Sequence, residues 1–496
     1  MATPSRLQQA AQPGSRMTPS DALFWYAEEA TPELRSTVAG LIVLDRAPER
    51  DGLRDAMERW IAHIPRLRQR VVEAPLRLGL PEWEDDPHFD IEYHARELKL
   101  PEPGTERQLF EFISAVFATP LDHLRPLWEG YLIDGLSGGR AACFFKVHHA
   151  VMDGVGSVAG FEALTQAHRG EPIRVPRRLE SHAPRTSVVR AARLGRDLLR
   201  STMATMGATA GLGVRAVLQP RELADDVARA ARGIAGLLGE MRAAGIDDPL
   251  ANPTGGLGRR LNGVTLSLPR LRRIKDALGV TLNDLVLAAL TGAVRRYHAH
   301  RKVHVDRLQC MVPISLRQDH ERHALGNRVG MCTVTLPVGE PDPLIRLERI
   351  RVQTCAAKSD RRGAAYPVLM QALAFAPSFA FRLFARSMTG RINLICTNVP
   401  GPRETRYLAG AKVEGIYPFA PVAVGTPLSV ALLSYGDVYG VGIDTDPSAI
   451  PDPERLHRYL EDAIDEIERR THLNPRVAAP AAIRKAQRSG HARLAS

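Results

Sequence analysis

Apolar residues recur along this chain at two spacings, and each spacing predicts a different element. Leu53, Met57, Trp60 and Ile61 fall at three- and four-residue steps, which predicts a helix over 51–63. Leu109, Phe110, Ile113 and Phe117 repeat the pattern over 106–118. A helix capped by Ser20-Asp21 and running to Glu28 opens the chain, and Val158, Phe161 and Leu164 predict another over 155–168. Short runs of β-formers predict strands over 38–45, 128–134 and 140–147. After residue 262 the alternation starts again. Strands are expected over 263–268, 310–315, 331–337 and 392–397, with a hairpin of 429–435 and 438–443 turning at Gly436-Asp437. Helices are expected over 269–278, 281–297, 343–357, 366–388 and 453–470, with Thr281 as a cap and Asp284 in the first turn. Strands in both halves without strict strand–helix alternation indicate an α/β protein with mixed sheets rather than one doubly wound sheet.

Between the halves the composition shifts to Arg, Pro and Gly with helical pieces. The expected organisation is therefore a disordered stretch at 1–16, an N-terminal domain at 17–170 and an Arg-rich helical linker at 171–262. A C-terminal domain at 263–472 and a disordered basic tail at 473–496 complete it. In the linker, Arg190, Arg193, Arg196 and Arg200 share one helical face, while Ala191, Ala192, Leu198 and Leu199 take the other. A basic amphipathic helix suits an anionic membrane surface, and equally a linker lying on its own protein.

The chain has 496 residues, enough for two buried cores, and carries a net charge of +11. Its basic residues are almost all arginine, with no block interleaved with aromatics of the kind a nucleic-acid groove needs. Acyl-CoA and anionic lipid are the better partners for the excess charge. Five scattered cysteines, an odd number without short spacing, argue for reduced core thiols in a cytosolic protein. The polar N-terminus lacks the apolar core of a signal peptide. The longest uncharged run, 364–381, contains Pro367 and Pro377 and suits a buried or interfacial helix better than a spanning one.

The chemistry concentrates in one stretch. A strand of Cys143, Phe144, Phe145, Lys146 and Val147 ends in His148 and His149, and Asp153-Gly154 turns the chain into a helix. Three chemistries use such residues. A metal would need both imidazoles, yet neighbours on a strand face opposite ways and no companion cluster has ligand spacing. The glycines at 154, 156 and 160 follow a strand and open a helix, but the third stands one position late for a dinucleotide fingerprint. The third use is a general base, which needs one desolvated imidazole with a fixed tautomer. Two ordinary half-buried histidines fit the composition as well. Gly135-Leu-Ser137-Gly-Gly139 formally matches the serine-hydrolase elbow, but it joins two strands rather than a strand and a helix.

His-His-x-x-x-Asp-Gly at a strand end resembles the signature of the chloramphenicol acetyltransferase-like acyltransferases. Pro126-Leu127-Trp128-Glu129, Asn283-Asp284, Asn398-Val-Pro400-Gly401-Pro402 and the opening from Thr18 to Phe24 are similar to the bacterial wax ester synthase/diacylglycerol acyltransferase family. The likeness covers about residues 17–470. One departure is visible: Arg403-Glu-Thr-Arg406-Tyr407 stands where members usually read Pro-Leu-Tyr, which bears on substrate rather than reaction.

The resemblance implies two chloramphenicol acetyltransferase-like domains, mixed sheets flanked by helices, with an active-site tunnel between them. It implies transfer of a long-chain acyl group from acyl-CoA, a substrate and not a cofactor, to diacylglycerol, a long-chain alcohol or both. His149 is then the general base. His148 supports the strand, Asp153 pairs with an arginine to hold the loop, and Gly154 permits the turn. Asn283 near a helix N-terminus is a donor for the oxyanion or the acceptor, or simply a cap. Pro126, Leu127 and Trp128, with Asn398, Pro400 and Gly401, shape the tunnel walls and the domain contact. The enzyme is expected in the cytoplasm, peripherally on the inner face of the plasma membrane or on lipid droplets. Another thioester donor, such as a carrier protein, or a degenerate lipid-binding paralogue are the alternatives.

Overall fold

The computed structural model describes residues 16–31, 33, 35–74, 77, 80–152, 154–176, 195–196, 248–251, 255–315, 329–359, 382, 392–422 and 425–472. Its elements in chain order are α1 (Pro19–Ala30), β1 (Thr37–Leu44), α2 (Arg50–His63), β2 (Gln69–Val72), β3 (Glu82–Asp85), β4 (Ala95–Lys99) and α3 (Glu106–Ala118). Then come β5 (Trp128–Leu136), β6 (Arg140–His148), α4 (Gly154–Leu164), β7 (Arg260–Ser267), α5 (Leu268–Leu278), α6 (Leu282–His300), β8 (Leu308–Ser315) and β9 (Val329–Leu336). The rest are α7 (Pro343–Ser359), β10 (Leu394–Val399), β11 (Tyr407–Leu408), β12 (Ala411–Phe419), β13 (Leu428–Tyr435), β14 (Val438–Thr445) and α8 (Pro453–His472). The first helix is capped by Thr18, whose side chain accepts from the Asp21 amide, two residues before the expected Ser20. Capping boxes close the N-termini of α3 (Thr105 with Gln108) and α6 (Thr281 with Asp284).

Two six-stranded sheets form, ordered β11-β12-β1-β6-β5-β4 and β7-β14-β13-β10-β8-β9. Both are mixed. In the first, β1 pairs antiparallel with β6 while β4 runs parallel to β5; in the second, β10 is parallel to β8 and β13 while β13, β14 and β7 are antiparallel. The second sheet buries Val430, Leu432, Val441 and Ile443 in one core with Leu287 and Leu290 of α6 and Leu460 and Ile464 of α8. The first sheet is covered on one face by α1, α2 and α4, and on the other by α3 with Leu261 of β7.

The expected boundary at 263–472 is corrected here. Strands β11 and β12 lie in the C-terminal half of the chain but complete the first sheet, with Ile42 opposite Ile416 in the antiparallel ladder. Burial in β12 alternates strictly over its first four residues, a pattern that marks a strand but not its sheet, and its partner lies far back in the chain. Crossing between halves brings β12 onto β14. There a Cβ on Gly440 would stand 1.9 Å from the Ile416 carbonyl oxygen, and one on Gly442 1.8 Å from that of Pro418. Only glycine lets the two backbones meet so closely. The linker expected to reach residue 262 gives way to β7 at Arg260, and α4 ends at Leu164 rather than 168. The helix expected over 366–388, the run 364–381 and most of the Arg190–Arg200 stripe lie outside the described residues.

No single described helix is long and apolar enough to cross a membrane; the bent pair α5–α6 passes by composition, but α6 is the buried core helix of the second half.

Candidate active site

Strand β6 ends at His148 with His149 next in the chain, and the period of a strand separates the two side chains. His148 continues the row of Phe144 and Lys146, which faces α3 and is wholly buried. Its backbone amide donates to the Leu127 carbonyl at 3.0 Å. The Ala150 amide donates to its Nδ1 at 3.1 Å, so the ring proton sits on Nε2. That nitrogen lies 3.2 Å from Oε2 of Glu28, its N–H meeting the carboxylate at an angle.

His149 is placed differently. It is half-buried, its amide donates to the Ser36 carbonyl at 2.7 Å, and its ring stacks on Phe24 with centroids 4.1 Å apart. The next residue is fixed by Arg66, whose Nη1 donates to the Ala150 carbonyl at 3.0 Å and lies 3.4 Å from Asp21. One imidazole is thus locked into the core and the other is held flat against an aromatic ring at the core's edge. Such a placement fits a proton-transferring base, which needs a fixed ring with access to a reactant.

Phe24 and Glu28 were not picked out in the sequence, although their four-residue spacing puts them on one face of α1. Glu28 is buried, and its carboxylate meets His148, the Ser36 amide at 3.1 Å, and Nε2 of His123 at 3.4 Å. Burial by itself would push this carboxyl up; the His123 and His148 rings and the Ser36 amide outweigh it and hold the group well below the ordinary carboxylate range.

The remaining candidates fall in several places. Asp153 lies outside the described residues, and Gly154 opens α4. Pro126, Leu127 and Trp128 lead into β5. Leu127 and Trp128 are fully buried, and the Trp128 indole donates to the Leu67 carbonyl at 2.6 Å while packing on His94 and Trp60. These contacts make the tryptophan a buttress of the histidine strand, in a core that also takes in Leu408, Val413 and Leu433 from the second half of the chain. Asn283 sits half-buried as the second residue of α6. Asn398 of β10 lies beside the Tyr439 phenol, which burial pushes far up and Asn398 draws partly back. After Pro400, a Cβ on Gly401 would meet the Ser434 carbonyl oxygen at 2.2 Å, so this glycine lets the chain cross β13. The Asn-Val-Pro-Gly-Pro stretch is a backbone crossing, built around a contact that no side chain fits. Ser137 is an exposed turn residue between β5 and β6.

Arg406, at the departure from the usual family sequence, lands on the end of α4. Its Nη2 donates to the carbonyls of Glu162 at 3.0 Å and Thr165 at 2.8 Å, and its Nε to the Thr165 hydroxyl at 3.1 Å. Arg59 adds a second guanidinium on the Ala163 and Thr165 carbonyls. Two cations on the carbonyl end of the helix that begins at Gly154 complement its dipole.

Comparison with known proteins bears on this arrangement directly. The wax ester synthase/diacylglycerol acyltransferase catalytic domain matches residues 17–286, more than half of the chain. The chain belongs to this family. The family's C-terminal domain matches residues 325–468. A probable diacylglycerol O-acyltransferase of Mycobacterium tuberculosis is 29% identical over 460 residues, covering 91% of this chain and 95% of that protein. The wax ester synthase/diacylglycerol acyltransferase of Marinobacter aquaeolei superimposes with a TM-score of 0.62 at 24% identity, over 92% of this chain and 100% of that one. A variant of the starter condensation domain of rhizomide synthetase, solved with C8-CoA, has a TM-score of 0.56 at 15% identity, over 91% and 94% of the two chains. The fold is therefore that of two chloramphenicol acetyltransferase-like halves, and this family member is an acyltransferase.

Proposed function

We propose that the protein transfers a long-chain fatty acyl group from acyl-CoA to the hydroxyl of diacylglycerol, of a long-chain alcohol, or of both, with His149 as general base. The observation that carries this reading is the division of the histidine pair, one ring locked to Glu28 and the other stacked on Phe24 at the edge of the core. His149 removes the acceptor's hydroxyl proton as that oxygen attacks the thioester carbonyl. The tetrahedral intermediate collapses, the carbon–sulfur bond breaks, and the departing thiolate takes the proton from the imidazolium. Oxygen attacks directly, so no acyl-enzyme forms. Asn283, at the donor-rich start of α6, supplies a hydrogen bond to the oxyanion or the acceptor. Asp153 and Gly154 hold the turn after the base, and substrates meet in a tunnel between the halves. A base of this kind contributes about two to four powers of ten in rate.

The named relatives support the substrates: diacylglycerol acyl transfer stands in the name of the mycobacterial protein, and the condensation domain was solved with an acyl-CoA. They favour CoA over a carrier-protein donor. No cofactor enters the scheme. Because both products are apolar, the enzyme works at a lipid surface, peripherally on the cytoplasmic face of the plasma membrane or on lipid droplets, drawn there by its net charge of +11. The test is incubation of purified protein and of His149→Ala with radiolabelled palmitoyl-CoA and either diacylglycerol or hexadecanol. Labelled triacylglycerol or wax ester from the wild type alone is expected. Equal turnover by the variant would refute the role of His149, and no product with either acceptor would refute the substrates.

A further inference from the structure

The buried acid of α1 has no part in the scheme above, yet it touches both His148 and Ser36, on either side of the base's own backbone bond. Glu28 lies behind His149 rather than beside it. Its Oε2 is 3.2 Å from Nε2 of His148, the preceding residue, and accepts the Ser36 amide at 3.1 Å. The carbonyl of that same Ser36 receives the His149 amide at 2.7 Å. The Ser36 hydroxyl donates to the Phe24 carbonyl at 3.1 Å, and the Phe24 ring carries the His149 ring. These ties on His149 run back to one turn of α1, through Phe24 or through Glu28.

We infer that Glu28 is a positioning residue for acyl transfer, fixing His149 by gripping both its chain neighbour and the peptide that receives its amide. The inference rests on the reading of His149 as the base. Physically, the carboxylate selects one tautomer of His148, because it faces the ring N–H while the Ala150 amide occupies the other nitrogen. With that ring fixed, the turn from His148 to Val151 is fixed, since the Val151 amide donates to the His148 carbonyl at 2.9 Å. Oε2 serves both the His148 ring and the Ser36 amide, so an amide that set its N–H there would face two N–H donors, and one that set its oxygen there would turn its N–H on His123 and give up the charge. Either way His149 would shift by a fraction of an ångström, enough to misalign a proton transfer.

The charge of Glu28 acts as well. His123 contacts its other oxygen, Arg35 lies within electrostatic reach, and Arg66, paired with Asp21, stands beyond Ala150. Removing this buried negative charge behind His149 disfavours the imidazolium, so the acid limb of the rate profile moves to lower pH.

The experiment compares Glu28→Gln with wild type in the full-length protein, using palmitoyl-CoA and the acceptor that the wild type accepts. The variant is expected to lose about tenfold or more in kcat, with KM for acyl-CoA changed less than about twofold. Its acid limb in kcat/KM should move down by about half a unit to one unit. Wild-type kcat with an unmoved limb overturns the inference, as does a change confined to KM. Should Glu28→Gln fail to fold, nitrogen-15 histidine spectra of the wild type decide. A proton on Nε2 of His148 supports the inference, and one on Nδ1 overturns it. The two readings fail separately. His149→Ala with full activity removes the base whatever Glu28 does, whereas an inactive His149→Ala beside a fully active Glu28→Gln sinks the positioning role alone.

Discussion

Asp444 is a carboxyl that the second sheet buries completely, and replacing it by asparagine should stabilise the protein in a pH-dependent way. It follows Gly440 and Gly442 on one face of β14 and stands opposite Ser429 of β13 in the ladder. Among the described residues no side chain hydrogen-bonds to its oxygens, the Val422 and Thr445 amides lie near enough only for a weak pull, and the Ser429 hydroxyl has no partner. Burial pushes its pKa from 3.8 up to about 8, against a partial pull from Arg259. Arg259 gives little more because its donors are engaged by the carbonyls of Gly256, Gly258 and Glu33. The folded state thus keeps a proton that the unfolded state releases. Stability is full below pH 3.8, falls by about 1.4 kcal/mol per unit as pH rises, and levels off near 8. At pH 7 the loss accumulates over about three units, or roughly 4 kcal/mol as an upper figure. Asp444→Asn removes the titration and keeps the shape. An entropy of about 1 kcal/mol per degree for a chain of this size converts the gain to about 2–4 °C in melting temperature at pH 7. The assay is paired thermal scans from pH 4.5 to 9, in which the difference should grow with pH and plateau above 8. A difference that stays constant across that range would refute the reasoning. A wild type more stable than the variant at pH 8 would mean that the carboxylate is ionised and paired.

The other predictions separate packing from chemistry. His149→Ala should abolish transfer at nearly unchanged melting temperature, whereas His148→Ala should cost about 2–4 kcal/mol by emptying a buried site and removing one partner of the buried Glu28 carboxylate, seen as a lowered urea midpoint. Arg406→Leu removes three hydrogen bonds from the end of α4 and should cost about 2–3 kcal/mol in the same assay; unchanged stability with altered acceptor preference would make it a substrate residue instead. Replacing Arg190, Arg193, Arg196 and Arg200 by Gln should weaken binding to phosphatidylserine vesicles, at about 1 kcal/mol per charge and only at low salt. Equal vesicle binding at low salt would reduce the stripe to a solvated helix face.

What was legible in the sequence was local. Helices α2 and α3 declare themselves by spacing, α6 by its Thr281 cap, and the β13–β14 hairpin by its Gly436-Asp437 turn. Strands β2 and β3 have only four residues each and leave no periodic signal. Strand β4 is an edge strand with no buried position, so it reads as polar loop. Strand β12 does alternate, but its partner β1 lies more than 360 residues away, and no local pattern says which sheet an alternating segment will join. The domain boundary was misplaced for that reason.

The site shows the same limit at a finer scale. Strand parity alone required that His148 and His149 point apart, and the structure separates them into one buried and one half-buried ring. Parity could not say which ring goes inward. That is decided by what stands on each side. The row of Phe144 and Lys146 already faces a covered surface, where Lys146 gives its protons to Val116, Thr119 and Glu129. The next residue in that row, His148, therefore arrives in a dry environment and needs a buried acceptor. Glu28 is that acceptor, and it comes from a helix 120 residues earlier. A buried histidine at a strand end predicts a buried acid somewhere, but only the assembled first half shows which acid, and with it the turn of helix that holds the base.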